Sequence, residues 1–427
     1  MNILVIGSGG VGAAFARIAQ RRSFFDRIIL ADVDVGRAAS VAASLGEPDR
    51  FDAAYVDATD TASLTALIRA LRVDAVLNAV DPRFVLTIFD ACFRAGATYL
   101  DMATTLSEPH PTNPYSECGI KLADRQFERD DEWRSAGRLA IVGMGVEPGF
   151  SDVAARYAAD HLFSELDEVS VRDGANLVVE GYEFAPTFSI WTTIEECLNP
   201  ALVWEKERGW FTTAPLSEPE MFEFPEGIGA MECINVEHEE VALIPRVIDC
   251  RRVTFKYGLS TDFVAVLKWL HELGLDSKDK IRVGGVEVAP RDVVAACLPD
   301  PGTLGERMMG KTCAGTYVTG IGKDGTPRAT YIYHVADNEW TMREYASQAV
   351  VWQTAINPVV ALELLARGDW KGTGVIGPES LDAAPFLDLL AEYGSPHGIS
   401  ERTPNQCSPR FEDAAASAEH SGVGGVA

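Results

Sequence analysis

The chain has 427 residues, of which 47% are hydrophobic, and a formal net charge of −26 at pH 7. This length is too great for one hydrophobic core and predicts two or three domains. The acidic balance disfavours nucleic acid and anionic membranes as partners and suits a cationic small molecule such as a diamine, although the ordinary role of such charge is solubility.

No apolar run is expected to span a membrane, and the first motif begins at Gly7, which leaves no room for a signal peptide. The eight cysteines are scattered and form neither a C-x-x-C pair nor a zinc-ligand spacing. The sequence therefore predicts a cytoplasmic protein with reduced, mostly buried thiols and no metal site.

The first predicted elements are a strand over Ile3 to Ile6, a glycine-rich turn and a helix over Val11 to Arg21. The first glycine of the turn permits a tight bend, the second lets the backbone approach a pyrophosphate, and the third lets the helix pack on the strand. The helix N-terminus presents unpaired N–H groups to an anion. We predict dinucleotide contacts from Gly7, Ser8, Gly9, Gly10, Val11 and Gly12.

The second predicted strand, Ile28 to Ala31, ends at Asp32, where a ribose-binding acid belongs. A carboxylate there accepts hydrogen bonds from the ribose hydroxyls and repels a 2′-phosphate, which favours NAD over NADP. Arg37 keeps NADP possible, because a guanidinium neutralises a 2′-phosphate. Further predicted cofactor contacts follow the second, third and fourth strands at Val33, Asp57, Ala58, Asn78, Ala79 and Val80.

Short apolar runs and amphipathic stretches continue to alternate as far as Val142. The remaining predicted elements are helix Gly36 to Leu45, strand Ala53 to Val56, helix Thr61 to Leu71, strand Ala75 to Asn78, helix Arg83 to Ala95, strand Thr98 to Leu100, helix Asp124 to Ala136 and strand Leu139 to Val142. This order predicts an α/β fold, a doubly wound parallel Rossmann sheet, over residues 1–150. Ligands bind beyond the carboxyl ends of such strands, so residues 78–82, 101–104 and 143–149 should face the nicotinamide.

Several motifs resemble the saccharopine dehydrogenase family over about residues 1–395, and most of all its lysine 6-dehydrogenase-like branch. In the first domain they are the glycine turn, Val76-Leu77-Asn78-Ala79, Ala97-Thr98-Tyr99-Leu100-Asp101 and Gly145-Val146-Glu147-Pro148-Gly149. Later motifs are Phe188-Ser189 with Asn199-Pro200-Ala201, residues 224–229, Tyr257 with residues 267–275, residues 315–320 and residues 374–379.

The resemblance implies hydride transfer between a nicotinamide and a carbon that carries nitrogen, so that an amine is oxidised to an imine or the reverse. Such chemistry needs a base that removes a proton from the nitrogen. Asp101 is the first candidate and Glu147 the second, although an aspartate also caps helices and a carboxylate also favours a helix N-terminus. We predict Met102, Thr104 and Phe188 as substrate contacts.

Residues 151–340 lose the strand–helix alternation and predict a second, α+β domain. In the family this domain binds substrate and forms a homodimer. Arg246, with the pair Arg251-Arg252 as an alternative, is predicted to bind a substrate carboxylate through its planar guanidinium. His238 is a further substrate-binding candidate, although three glutamates surround it in the sequence and also fit a solvated face.

The proline-rich segment 105–121 predicts a loop, and loops at a cleft rim often close over substrate, so His110 or Tyr115 is a possible further contact. Residues 341–394 predict helices, which in the family pack back on the nucleotide domain. Residues 395–427 are rich in Ser, Ala, Gly and Pro and predict a flexible tail.

Three functions remain open from the sequence. The first is oxidation of the terminal amine of lysine, of saccharopine or of a related diamino acid. The second is a carboxynorspermidine dehydrogenase-like reductive condensation of a polyamine with aspartate semialdehyde, which suits the acidic chain somewhat better. The third is a non-catalytic redox sensor, which should lack a substrate-sized cleft with an ionisable group near the nicotinamide.

Overall fold

Short apolar strands alternate with amphipathic helices in the first part of the computed structural model, which describes residues 1–403. The elements are β1 (Asn2–Ile6), α1 (Gly10–Gln20), β2 (Arg27–Asp32), α2 (Val35–Ser44), β3 (Phe51–Tyr55), α3 (Thr61–Ala70), β4 (Ala75–Asn78), α4 (Val85–Ala95), β5 (Thr98–Asp101), α5 (Asp124–Phe127), α6 (Asp130–Ser135), β6 (Leu139–Ile141) and α7 (Phe150–Tyr157).

The first sheet is parallel, with the strand order β3-β2-β1-β4-β5-β6. Residues 3–6 of β1 are fully buried because helices cover both faces of the sheet. The order reverses at β1 and β4, and the crevice beyond the ends of these two strands is the usual ligand site of this architecture. The predicted doubly wound Rossmann sheet is confirmed.

A second, mixed sheet forms the centre of residues 163–337. Its segment contains β7 (Phe163–Ala175), β8 (Val178–Val179), α8 (Ile190–Leu198), β9 (Ala201–Glu205), β10 (Gly209–Thr213), β11 (Ser217–Phe224), β12 (Gly229–Asn235), α9 (Glu240–Leu243), β13 (Arg252–Gly258), α10 (Thr261–Glu272), β14 (Ile281–Val283), β15 (Val286–Val288), α11 (Pro290–Cys297), β16 (Met308–Met309), β17 (Lys311–Gly322) and β18 (Pro327–Asp337). Central β7 pairs in parallel with β13 and antiparallel with β17, which confirms the predicted α+β class.

The last described elements are α12 (Asn338–Tyr345), α13 (Ala349–Arg367), β19 (Gly374–Ile376), α14 (Ala383–Glu392) and β20 (Gly398–Arg402). Helix α13 packs against α1, and β19 pairs in parallel with β6 as the seventh strand of the first sheet. The nucleotide-binding domain therefore contains chain from both ends of the described sequence.

The prediction of a flexible tail from residue 395 is wrong at its start. Residues 398–402 form β20, which pairs antiparallel with β18 at the edge of the second sheet. Arg328 and Thr330 of β18 hold Glu401 through an ion pair and a hydrogen bond, and these contacts fix the added strand. The remainder of the predicted tail, from residue 404, lies outside the described residues.

Helix α13 corrects the expectation that no apolar stretch is long enough to cross a membrane. It has 19 residues and a mean hydropathy of 1.5, which suffice by length and composition. However, 78% of that stretch is buried inside the protein, where Trp352, Ile356 and Val360 are fully enclosed. Its apolar character is therefore explained by its place in the core.

Candidate active site

A cavity of about 640 Å³ lies between the carboxyl ends of the first sheet and the second domain. The first domain contributes residues 78–82, Met102, Ala103 and the loop 146–148. The second domain contributes the end of β7, the first turns of α8 and the residues that follow β13. The three predicted strand ends therefore do converge on one cavity.

The ionisable side chains that line this cavity are all acidic. Two of them, Glu183 and Asp262, are exposed, and Asp81 is paired with Arg83, whose Nε lies 2.9 Å from its carboxylate. The other lining acids are Glu147, Asp173, Glu196 and Glu239. Within residues 1–403, no lysine, arginine or histidine lines the cavity. The cavity is thus suited to a cationic ligand and unsuited to an anion that needs a basic partner.

Glu147 and Asp173 form a carboxyl pair in the cavity wall. Glu147 Oε2 and Asp173 Oδ1 are buried atoms that have no hydrogen-bond partner among residues 1–403. Burial and the neighbouring Asp173 raise the pKa of Glu147 well above its usual range. Burial also raises the pKa of Asp173 to about 6, although the neighbouring Glu147 carboxyl lowers it. One proton held between the two carboxyls would satisfy both buried oxygens.

Glu196 lies on α8, and its Oε2 accepts a hydrogen bond from the Tyr257 hydroxyl at 3.2 Å. Both side chains line the cavity. Burial raises the pKa of Glu196 to about 8, although the charge of nearby His238 lowers it. A carboxyl with a pKa near neutrality in a cleft is suited to acid–base chemistry.

His238 is buried, with 1% of its surface exposed, and does not line the cavity. Its Nδ1 donates to Glu240 Oε2 at 2.6 Å, its Nε2 lies 3.2 Å from the Tyr257 hydroxyl, and its ring stacks on Phe255. Burial lowers its pKa, but Glu240, Glu196 and Glu239 outweigh burial and raise it to about 10. The structure therefore does not support the predicted direct contact with substrate, and the burial of His238 contradicts the alternative of a solvated face.

Asp101 does not line the cavity and is fully buried. Its Oδ1 accepts a hydrogen bond from Gly143 N at 2.7 Å, and its Oδ2 accepts from the Tyr99 hydroxyl and Gln126 Nε2 at 2.8 Å each. Burial raises its pKa to about 7, against these three donors. The carboxyl is fully occupied in joining strand ends, so the geometry does not support the predicted catalytic role.

Of the remaining residues that were predicted to contact substrate, two line the cavity and two do not. Met102 and Phe188 line the cavity as expected. Thr104 does not, because its N–H and hydroxyl donate to Glu239 Oε1 at 3.1 and 3.3 Å and so hold that lining acid. Arg246 also lies outside the cavity wall, where its guanidinium binds Asp124 at 3.0 Å and stacks on Phe127. Arg246 is therefore not carried forward as a carboxylate ligand.

The two alternatives to Arg246 are also occupied by protein carboxylates. Arg251 pairs with Asp167, and Arg252 binds Glu218 at 2.7 Å and Glu205 at 2.6 Å. The insertion 105–121 packs on β10 through the Thr212 hydroxyl, which donates to Pro114 O at 2.8 Å. Neither His110 nor Tyr115 lines the cavity, so this segment is a surface excursion with respect to it.

The glycine turn fits a dinucleotide. A Cβ on Gly12 would lie 1.9 Å from Gly7 O, whereas a Cβ on Gly9 would meet nothing within 4 Å. No side chain of the described residues 1–403 caps the N-terminus of α1, which leaves its first N–H groups available to a phosphate. Gly12 is therefore required by packing, and the open space beside Gly9 is where the pyrophosphate fits.

Asp32 ends β2 at the position that a ribose requires. Its Oδ2 accepts from Ser8 N and its Oδ1 from Asp34 N, both at 2.9 Å, while Arg37 Nη1 lies 3.9 Å from Oδ2. Val33 is largely exposed beside it, and Asp57 is held by Thr59 at the end of β3. Of the other predicted contacts, Val11, Asn78, Ala79 and Val80 line the cavity.

Sequence reasoning missed most of the acidic wall: Asp173, Glu196, Glu239 and the buried Glu240. Asp173 lies near the end of a buried strand, which is the same signal that selected Asp101. Glu196 and Glu239 lie in pairs and runs of glutamate, which are typical of a solvated surface. Tyr257 belonged to a quoted motif, but nothing in the sequence indicated that its hydroxyl meets Glu196.

Comparisons with known proteins agree on one family for both domains. A family model described as the saccharopine dehydrogenase NADP binding domain matches residues 3–141, and one described as the saccharopine dehydrogenase C-terminal domain matches residues 145–395. The apo saccharopine dehydrogenase (L-Glu forming) from Saccharomyces cerevisiae has a similar fold, with a TM-score of 0.64 at 15% identity, covering 94% of this chain and 100% of that one.

Two curated relatives carry names of polyamine-related enzymes. The carboxynorspermidine synthase of Vibrio alginolyticus is 32% identical over 417 residues, which are 95% of this chain and 98% of that protein. The carboxyaminopropylagmatine dehydrogenase of Synechocystis sp. is 29% identical over 396 residues, which are 92% of this chain and 96% of that protein.

Proposed function

This chain belongs to the saccharopine dehydrogenase family, and we propose that it joins a diamine or polyamine to an aldehyde by reducing the imine that the two form. The protein is an NAD(P)-dependent oxidoreductase that acts on an amine. What we add is the class of amine and the direction of the reaction.

The observation that carries this proposal is the acidic cavity, in whose wall no basic side chain of residues 1–403 lies. In the part of the cavity that binds the amine, lysine and saccharopine would bring one or more carboxylates towards the pair Glu147–Asp173, and no basic side chain of residues 1–403 in the wall compensates their charge. A diamine carries only positive charge at neutral pH. The wall therefore favours the diamine over the amino acid.

The names of the relatives support the same class of amine. They correspond to the polyamine alternative that the sequence left open. The redox-sensor alternative loses its basis, because a cleft of about 640 Å³ with ionisable groups lies at the strand ends.

The nicotinamide dinucleotide, when bound along the glycine turn and Asp32, supplies the hydride that reduces the imine. In our proposal the pair Glu147–Asp173 binds the reacting ammonium, accepts its proton and so frees the nitrogen lone pair. Glu147, which the sequence predicted as a catalytic carboxylate, lines the cavity together with Pro148 and Met102 of the first domain. Ser189, Thr192 and Thr193 offer hydroxyls to the aldehyde without adding negative charge.

The experiment that tests this function identifies the product. The purified protein is incubated with reduced dinucleotide, aspartate semialdehyde and one amine from a panel of 1,3-diaminopropane, putrescine, agmatine and lysine. We expect dinucleotide oxidation with a diamine and a mass spectrum of the corresponding secondary amine. A reaction with lysine alone, or no secondary amine from any diamine, would refute the proposal.

A homodimer remains a proposal as well. Its support is the expectation from the family together with two large exposed apolar side chains, Trp269 on α10 and Leu273 directly after it, which are 67% and 68% exposed. Light scattering coupled to size-exclusion chromatography measures the mass directly. A monomer at micromolar concentration would contradict the proposal.

A further inference from the structure

Four side chains form one continuous chain of hydrogen bonds from the interior to the cavity. Glu240 Oε2 accepts from His238 Nδ1 at 2.6 Å, and His238 Nε2 lies 3.2 Å from the Tyr257 hydroxyl. The Tyr257 hydroxyl in turn donates to Glu196 Oε2 at 3.2 Å. An imidazolium at His238, which donates from both nitrogens, makes the direction of donation consistent along the chain.

The inner half of this chain is sealed and the outer half faces the ligand. Glu240 is fully buried and its second oxygen accepts from the Ser151 hydroxyl at 2.7 Å. His238 stacks on Phe255, with ring centroids 3.8 Å apart. Tyr257 and Glu196 are half-buried and line the cavity. The buried His238 is thus connected through the Tyr257 hydroxyl to Glu196, whose carboxyl a substrate can reach.

We propose that Glu196 is the acid that protonates the departing hydroxyl when the imine forms, and that Tyr257 and His238 are positioning residues that hold it. This inference rests on the proposed function, since the loss of water occurs only if an amine condenses with an aldehyde in the cavity.

The proton balance of the reaction requires a second acid–base group besides Glu147–Asp173. The substrate ammonium gives one proton to that pair, and the free amine adds to the aldehyde carbon to form a neutral carbinolamine. Glu196 then transfers its proton to the carbinolamine hydroxyl, the C–O bond breaks with release of water, and the nitrogen lone pair forms the C=N bond of an iminium ion.

The cycle then closes without any further reactant. Hydride addition to the iminium carbon, with the reduced dinucleotide as the donor, gives a neutral secondary amine. This amine regains its proton from the pair Glu147–Asp173. Ionised Glu196 recovers its proton from solvent, and this is the one proton that the overall reaction consumes. Until then, Tyr257 and the imidazolium stabilise the negative charge on Glu196.

The charged groups around the chain of hydrogen bonds from Glu240 to Glu196 set the pH range in which Glu196 can act as an acid. Four carboxyls and one phenol face His238: Glu239 and Glu240 beside it in the chain, Glu196 on α8, Asp173 on β7 and Tyr257 on β13. Burial, Glu239 and Glu240 raise the pKa of Glu196, whereas His238 and the hydrogen bond from Tyr257 lower it. The net pKa of about 8 keeps Glu196 protonated at neutral pH and still able to give up its proton.

The test runs the reaction backwards, where hydride transfer and hydrolysis of the imine are separate steps. The substrate is the secondary amine made from 1,3-diaminopropane and aspartate semialdehyde, with oxidised dinucleotide. Stopped-flow absorbance gives the rate of the first turnover, and later times give the steady rate. In Glu196→Gln we expect a first turnover within about 3-fold of wild type and a steady rate about 100-fold lower, because water must then attack the imine without a base.

Two positioning variants supply a readout that a purely structural role would not move. Loss of the imidazolium in His238→Asn should raise the pKa of Glu196, so the basic limb of the forward pH–rate profile moves upward by about one unit while the plateau falls. Tyr257→Phe keeps the ring and should lower the steady rate about 10-fold. Tyr331→Phe is the matched control, since its hydroxyl bonds Arg172 O at 2.8 Å and does not line the cavity.

Three results would overturn the roles assigned to these residues or the function on which they rest. A steady rate for Glu196→Gln close to wild type, or a first turnover slowed as much as the steady rate, overturns the inference. A folded His238→Asn or Tyr257→Phe whose pH profile and steady rate match wild type overturns the positioning roles. If wild type gives no first turnover with this amine, the proposed function itself is refuted and the inference with it.

Discussion

The Asp101 carboxylate accepts a hydrogen bond from the Gly143 amide at 2.7 Å and thereby joins the ends of β5 and β6. The same carboxylate holds Tyr99 and Gln126, so it accepts three donors while it lies wholly inside the protein. The next residue, Met102, lines the cavity. Asp101 therefore shapes the cavity floor without reaching a ligand.

Asp101→Asn should lower stability and leave the chemistry nearly intact. The amide has one acceptor oxygen for three donors, so we expect a loss of about 1–3 kcal/mol in the free energy of unfolding. Urea denaturation and steady-state kinetics at a temperature below both melting points measure the two effects. A roughly 100-fold fall in turnover with unchanged stability would instead restore the catalytic role that the sequence suggested.

Gly9→Val and Gly12→Val should fail in different ways. The Gly9 Cβ direction is open, so this variant should fold with a normal circular dichroism spectrum and lose dinucleotide binding. A Cβ at Gly12 would strike Gly7 O, so that variant should be destabilised outright. Thermal unfolding and fluorescence titration with reduced dinucleotide distinguish the two. Normal cofactor affinity in a folded Gly9→Val protein would make the turn merely structural.

NAD(H) should bind more tightly than NADP(H), because the Asp32 carboxylate occupies the ribose end of the site and repels a 2′-phosphate. Arg37 opposes this preference, with its guanidinium 3.9 Å from Asp32 and largely exposed. We expect Asp32→Ala to weaken NADH and strengthen NADPH binding, and Arg37→Ala to weaken NADPH alone. Tighter NADPH binding in wild type that Asp32→Ala leaves unchanged would contradict the assignment.

The stability of the free protein should fall as pH rises from about 5 to 8.5. The pKa values of Asp101, Glu196 and Glu237 are raised to about 7, about 8 and about 7, in each case mainly by burial. Between the unfolded and folded pKa values the folded state binds more protons than the unfolded state, so raising the pH favours unfolding. His238 adds to the same trend up to about pH 10.

Thermal melts across this pH range measure the trend, and Glu196→Gln supplies the comparison. Its neutral side chain removes one raised carboxyl, so its melting temperature should depend less steeply on pH. A diamine should also raise the melting temperature more at pH 8 than at pH 5.5, since more of the cavity carboxyls are then ionised. A melting temperature that rises with pH throughout the range would contradict the burial of these acids.

The sequence predicted the first domain well because its signals are local. Gly7 to Gly12, the apolar strands and Asp32 follow each other in an order that only one architecture accommodates. The strand ends were located correctly, and Glu147, Met102 and Phe188 do line the cavity. Periodicity does not predict the direction in which a side chain points at the end of a strand. Asp101 and Glu147 both lie at the carboxyl ends of strands of one sheet, and packing decides which carboxyl points into the protein and which points into the cavity.

The second domain resisted prediction because its partners are distant in sequence. The run Glu237 to Glu240 fits a solvated face, yet the four side chains are buried, and they bind Asn199 directly after α8, Tyr257 of β13 and Thr104 in the loop after β5. Arg246 and Arg252 suited a substrate carboxylate by type, but protein carboxylates more than 30 residues away already occupy them. No local pattern records such pairings.

The most direct test of the central claim, that an acidic cavity selects a cationic amine, is the ratio of kcat/KM for 1,3-diaminopropane to that for propylamine, with aspartate semialdehyde held constant. The two amines differ by one ammonium group. We predict a ratio of about 100 in wild type, from the loss of one charged hydrogen bond, and a clearly smaller ratio in Glu239→Gln, which removes a lining acid other than the pair that binds the reacting ammonium. Glu165→Gln, which removes the same charge from an exposed position of β7, should keep the wild-type ratio. Equal kcat/KM values for the two amines in wild type would contradict the account.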